Sequence, residues 1–327
     1  MICRVCGSAN VNHLGRVQYY REISHEIYDC GDCGSRFTQH CEVAESMHAN
    51  PNSGYGTYRD LAQKVKWLFD AKNLNGLRAE LGTLSKYKFI INAVTPYPKD
   101  ARFLEVACSR GYLTSYFILA GRDVIGTDIS KSAVAAAKAN FGSHFFTNND
   151  PIISEREPYD VIYHVGAIGC VENPVSLTRS LLNMLKPGGK LLFNAPNATA
   201  CWLRGQLWID FAPPPDVVTL YTPGFWTRTF SSDAFVREEV ENLSPEESFL
   251  VGLRKIMRRW KPPPAGSIET SITQYRQPSD QVQTLFERAW GAAERYAFRP
   301  AKMIGAVSYA PLQPSPYGIY VTLTKKA

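Results

Sequence analysis

From residue 101 to residue 197, short apolar runs alternate with helix-patterned stretches, and this rhythm constrains the fold more than any other feature. ARFLEVA is strand-like and GYLTSYFILAG helical. RDVIGTDI is followed by SKSAVAAAKANF, with Ser130 placed to cap the helix. HFFTNND and YDVIYHVGAI read as a third and a fourth strand. NPVSLTRSLLNMLKPGG reads as a helix stopped by Pro and Gly, and KLLFNAPN as a fifth strand. This order builds an α/β domain: a parallel sheet with helices on both faces and right-handed crossovers. Ligands of such sheets sit at the carboxyl ends of the strands, where the strand order reverses.

The flanking regions are different. Residues 46–98 are mainly helical, since YRDLAQKVKWLFDAKN and LSKYKFIINAV carry apolar residues at three-to-four spacing. They are expected to form a linker or lid. An aromatic-rich insertion at about 198–265 holds Trp202, Trp208, Phe211, Tyr221, Phe225 and Trp226, a group suited to a core or to the wall of an acceptor pocket. The final YGIYVTLTKK reads as an antiparallel edge strand. No stretch approaches the roughly 18–20 apolar residues that span a bilayer. The N-terminus MICRVCGS lacks the layout of a secretory signal, so a cytoplasmic protein without a membrane partner is expected. A net charge of +6 over 327 residues does not by itself imply nucleic acid. The cluster LRKIMRRWKPPP, with Arg254, Lys255, Arg258, Arg259 and Lys261, reads as a solvated helix face or a phosphate-contacting patch. No oligomeric state is read from the sequence.

Four of the eight cysteines stand in two matched pairs, Cys3-x2-Cys6 and Cys30-x2-Cys33, with 23 residues between the pairs and Gly after each. Two such pairs close a tetrahedral four-sulfur shell around Zn2+. Two disulfides are the alternative, disfavoured in a reducing compartment. Four protein ligands leave no open position, so the metal is expected to be structural, in a zinc ribbon over residues 1–45. His13, His25 and His40 are then spare.

Within the alternating region, Glu105 ends the first strand and Ala107, Ser109 and Gly111 make the turn before a helix, so backbone N–H groups can meet a polar ligand there. Asp128 ends the second strand, where a carboxylate can accept from both hydroxyls of a ribose; alone it reads equally as a helix cap. Asn149 and Asp150 close the third strand, near an adenine amine or simply in a turn. In this order the chain resembles the class I S-adenosylmethionine-dependent methyltransferases. The resemblance runs through FLEVACSRGYLT, VIGTDISKSAVAAAK, YDVIYHVGAIGCVENP and LLNMLKPGGKLLFNAPN, over roughly residues 99–197. It implies a Rossmann-like seven-stranded methyltransferase sheet over residues 99–327, with helices on both faces and the small N-terminal ribbon ahead of it. It implies S-adenosyl-L-methionine as cofactor, with Glu105, Ala107, Ser109 and Gly111 at the methionine part, Asp128 at the ribose, Ile129 on adenine and Asn149 and Asp150 at its amine. A dinucleotide domain is the nearest rival on fold, but the first loop lacks the G-x-G-x-x-G pattern.

The resemblance has a gap. Members that modify small metabolites carry an acid–His pair after the fourth strand, where this chain has Gly169 and Cys170; a later His is replaced by Val217. Candidates for a base are therefore His164, which is also placed beside the cofactor, and Asp216, Tyr221 and Glu172. Methyl transfer to a small-molecule or sugar acceptor, most simply at oxygen, is the first expectation. An RNA methyltransferase gripping its substrate through the ribbon and the basic cluster is the second. A non-catalytic cofactor-binding protein is the third.

Overall fold

The structure is a computed structural model, and it describes residues 1–19, 23–39, 57–204, 207–209, 214, 217–241 and 318–326. The basic cluster at 254–261, His40, Phe211 and Asp216 lie outside the described residues.

Two sheets organise the described chain. The larger has seven strands: β4 (Arg102–Val106), β5 (Asp123–Asp128), β6 (Phe145–Thr147), β7 (Tyr159–His164), β8 (Leu185–Pro196), β10 (Ala234–Val240) and β11 (Gly318–Lys325). Their order is β10-β11-β8-β7-β4-β5-β6. The pairs β4–β5, β5–β6, β4–β7 and β7–β8 are parallel, and β11 runs antiparallel to both β8 and β10. From β4 the chain adds strands on one side and then on the other, so the reversal point lies between β4 and β7. The inner strands are apolar along nearly their whole length because helices cover both faces.

One of those faces is covered by α1 (Thr57–Asp70), α2 (Leu74–Leu81), α3 (Ser85–Val94), α4 (Tyr112–Leu119) and α5 (Lys131–Phe141). Ser130 caps α5 as expected, its hydroxyl accepting from the N–H of Ala133 at 3.2 Å. The helices read as a linker or lid pack into the core: Val65, Leu77, Leu81, Ile90 and Val94 are fully buried beside Phe103 and Phe117. Short α6 (Ile152–Glu155) follows β6. On the opposite face lie α7 (Pro174–Asn183) and α9 (Phe225–Phe230), with α8 (Thr199–Arg204) just beyond β8.

Two sequence expectations are corrected here. The final strand is not at the edge, because β10 pairs outside it from Ala234↔Lys325 to Val240↔Ile319. β10 falls inside the stretch read as an insertion; AFVREEV buries one face only, and its three adjacent charged residues mask the alternation. The Pro-Gly-Gly stop after α7 is a bulge within β8: Leu185 pairs with Tyr159, Gly188 takes φ +76°, and pairing resumes at Val161↔Lys190.

The second sheet is the N-terminal module: β1 (Val11–Tyr19), β2 (Ile23–Cys30) and β3 (Arg36–Thr38), antiparallel and extended by β9 (Thr219–Leu220). β9 belongs to the main domain, so the module is stitched to it, and Cys3, Val5, Cys33 and Phe37 share one apolar cluster with Tyr221, Phe225 and Trp226.

Candidate functional site

The loop after β4 is wound tightly at the carboxyl end of the sheet. Ala107 has φ +56°, Ser109 +49° and Gly111 +78°. Side chains resist this left-handed region, so two non-glycine residues there mark stored strain of a kind found at ligand sites. Gly111 is required for a second reason: a Cβ would come within 2.3 Å of the Phe145 ring. The Cys108 N–H bonds to the Thr127 carbonyl at 2.8 Å, fixing the loop to β5.

Asp128 closes β5 and is 9% exposed. One oxygen accepts from the N–H of Ser109 and the other from the N–H of Ser130, both at 2.8 Å. A carboxylate offers about four lone-pair sites, so each oxygen keeps one acceptor site for two adjacent hydroxyls. Ile129 beside it is 70% exposed, a large apolar side chain standing in water at a strand end. Asn149 is exposed; Asp150 accepts from the N–H of Ile152 at 3.1 Å and so also opens α6. These groups and the β4 loop stand together at the ends of neighbouring strands β4, β5 and β6.

Glu105 takes a different position from the one the resemblance implies. It shares a strand face with Phe103, turned toward α4, is 3% exposed, and its Oε2 accepts from the Thr114 hydroxyl. Burial pushes its carboxyl up to about 8, with the charge of Asp128 adding to the rise. Gly126 makes room for this contact, since a Cβ there would lie 2.8 Å from Thr114 Oγ1. Neither Thr114 nor Gly126 is singled out by sequence reasoning, although a glycine inside a strand signals close approach.

The end of β7 supplies no exposed base. His164 is fully buried, stacked on Phe193 with centroids 4.7 Å apart, and neither ring nitrogen has a hydrogen-bond partner among the described residues. Burial lowers its pKa to about 3. Tyr221 is fully buried and its hydroxyl donates to the Ile168 carbonyl at 2.8 Å, which makes it a brace for the loop after β7. Gly169, where an acid stands in the small-metabolite branch, is packed shut: a Cβ would meet Pro196 at 2.8 Å and Val217 at 3.1 Å. Its carbonyl accepts from the N–H groups of Val218 and Thr219 at 2.8 and 3.0 Å. Cys170 is half-buried and Glu172 exposed.

The four paired cysteines converge. All four sulfurs lie within 4.8 Å of one another, with Cys3–Cys33 at 3.7 Å and Cys6–Cys30 at 3.5 Å. A tetrahedral zinc ion with Zn–S bonds of about 2.3 Å separates its sulfurs by about 3.8 Å, so the donor set fits. The two knuckles match: Gly7 N–H bonds to the Cys3 carbonyl at 2.8 Å and Gly34 N–H to the Cys30 carbonyl at 2.9 Å, each glycine left-handed. His13 instead pairs with Glu26 at 2.7 Å.

Residues 56–232 match the methyltransferase domain family, more than half of the chain, and the chain belongs to that family. Its architecture is the family's seven-stranded Rossmann-like sheet. Among curated proteins, the ubiquinone biosynthesis O-methyltransferase of Parvibaculum lavamentivorans is 28% identical over 113 residues, 33% of this chain and 44% of that protein. That of Aliivibrio fischeri is 30% identical over 103 residues, 29% of this chain and 44% of that protein. The chain thus spans less than half the length of the curated relatives it matches. Among solved structures, the plantazolicin methyltransferase BamL, in complex with a triazolic desmethylPZN analog and SAH, aligns over 86% of this chain and 98% of that chain, at 14% identity and TM-score 0.41. A SAM-dependent methyltransferase from Archaeoglobus fulgidus aligns over 73% and 92%, at 14% identity and TM-score 0.41.

Proposed function

We propose that this protein is an S-adenosyl-L-methionine-dependent methyltransferase acting on a small-molecule or sugar acceptor, at oxygen. The observation that carries the reading is the pairing of Asp128, held by two backbone N–H groups with acceptor sites to spare, with the exposed Ile129 beside it. Asp128 holds the ribose hydroxyls, Ile129 covers a face of adenine, and Asn149 and Asp150 stand near its amine. The loop 107–111 lies along the methionine part. Glu105, beneath the loop, positions it rather than touching the cofactor. When bound, the cofactor supplies a methyl group made electrophilic by its positive sulfur. The chain's own residues align the acceptor with it and exclude water. His164 and Tyr221 are sealed from any acceptor, so neither is assigned the proton. Oxygen is favoured because the curated relatives are O-methyltransferases.

Zn2+ held by Cys3, Cys6, Cys30 and Cys33 serves structure, since four sulfurs leave it no open position. The ribbon at 1–45, the helices at 46–98 and the catalytic domain at 99–327 then work as one unit. Among the described residues no helix is long and apolar enough to cross a membrane.

Calorimetric titration with S-adenosylhomocysteine tests the reading. Asp128→Ala is expected to weaken binding by about 1–3 kcal/mol through lost charge-assisted hydrogen bonds, roughly five- to 150-fold. Equal affinity in the two proteins would remove the ribose assignment.

A further inference from the structure

A groove of about 360 Å³ lies between the first cysteine knuckle and α7, lined by Arg4, Asn173, Ser176, Arg179 and Ser180 among others, with no carboxylate in its walls. Arg4 stands between Cys3 and Cys6. Its Nη2 donates to the Gln39 carbonyl at 3.2 Å, but its Nη1 is buried and has no hydrogen-bond partner among the described residues. A buried guanidinium nitrogen without an acceptor leaves its positive charge poorly compensated beside the groove that Arg4 lines, which favours an anionic ligand there. Arg179 lies over the Phe230 ring at 5.8 Å, a cation–π contact that holds its guanidinium at the groove it lines.

The electrostatics of the backbone point the same way. Asn173 begins the ten-residue α7 at the groove, its side chain makes no capping bond, and Pro174 follows. The N–H groups of the first turn of α7 therefore receive no side-chain cap from Asn173, and the positive end of the helix dipole lies on the same groove wall as Arg179. Asn173, Ser176 and Ser180 add neutral hydrogen-bonding groups along the same wall.

We infer that this groove binds a phosphoryl group of a small ligand, held by Arg4 and Arg179 at the junction of the ribbon and α7. A tetrahedral dianion matches two guanidinium forks and the helix end, and the volume suits one or two linked phosphoryl groups rather than a polymer. The site is separate from Asp128 and Ile129 at the end of β5, so it stands whether or not the strand ends hold S-adenosylmethionine.

Pyrophosphate is a direct probe, titrated calorimetrically into the full chain at fixed ionic strength, with zinc content measured before and after. Saturable one-to-one binding is expected, weakened about tenfold or more by Arg179→Gln and by Arg4→Gln. Arg4 sits inside the metal knuckle, so if Arg4→Gln loses zinc, Arg179→Gln, on the exposed face of α7, decides alone. Absence of saturable binding, or equal affinity in wild type and Arg179→Gln, would overturn the assignment. So would oligouridylate that binds through the same arginines while pyrophosphate fails to compete, since that would make the groove a polymer track.

Discussion

Glu105 and His164 are ionisable side chains folded into places without water, and each leaves a sign on stability. Glu105 has its pKa raised from an ordinary 4.5 to about 8 by burial. Between those values the unfolded chain is ionised while the folded chain keeps its proton, so stability falls as pH rises through that window. Glu105→Gln keeps an acceptor for Thr114 and removes the titration. Its advantage over wild type in urea unfolding is expected to grow from pH 4.5 to pH 8; a constant difference would show that Glu105 is not held protonated. His164 works in the other direction. Its pKa falls from 6.5 to about 3, so below pH 6.5 the unfolded chain takes a proton the folded chain refuses, and stability is lost as pH falls toward 3. Phe at 164 would keep the stack on Phe193 and delete two nitrogens that have no partner among the described residues. His164→Phe is expected to stabilise the protein by about 1–3 kcal/mol, with the larger gain at pH 5 than at pH 8. Destabilisation at both pH values would mean the ring nitrogens have partners.

At the scale of elements, residues 217–222 are the connection that matters. Val218 and Thr219 hold the Gly169 carbonyl, Tyr221 holds that of Ile168, β9 pairs with β3, and Thr222 donates to the Cys33 carbonyl at 2.9 Å. The cysteine cluster and the loop after β7 are therefore two ends of one hydrogen-bonded segment. Removing zinc with a chelator, or Cys30→Ser, is expected to lower Tm by roughly 2–4 °C for each kcal/mol lost, while affinity for S-adenosylhomocysteine changes less than about twofold, because β5 lies outside the segment. Elemental analysis finding no zinc in the wild-type protein would remove the ribbon reading. This connection is also where the sequence falls silent. The inner strands are legible because burial on both faces leaves short, mostly apolar runs, and the cysteine pairs because each repeats the two-residue spacing that suits a shared metal ion. β9 is two residues long and its partner lies some 180 positions away, so no local pattern records it. Glu105 is legible as a strand-end acid, but which face it takes depends on strand parity and on Gly126 making room, and only the assembled sheet shows that.

Over the whole molecule, the main sheet separates two apolar clusters. One joins its inner strands to α1–α5; the other reaches through α7 and α9 into the cysteine module, so ribbon and catalytic domain share a core. The order of strands puts the reversal point between β4 and β7, and the left-handed loop, Asp128 and Ile129 all stand on its β4–β5 side. A crystal structure with S-adenosylhomocysteine tests this most directly. The ribose hydroxyls are expected within hydrogen-bond distance of the Asp128 oxygens, with adenine against Ile129. A vacant strand-end crevice at saturating ligand, or a ligand bound away from β5, would contradict it.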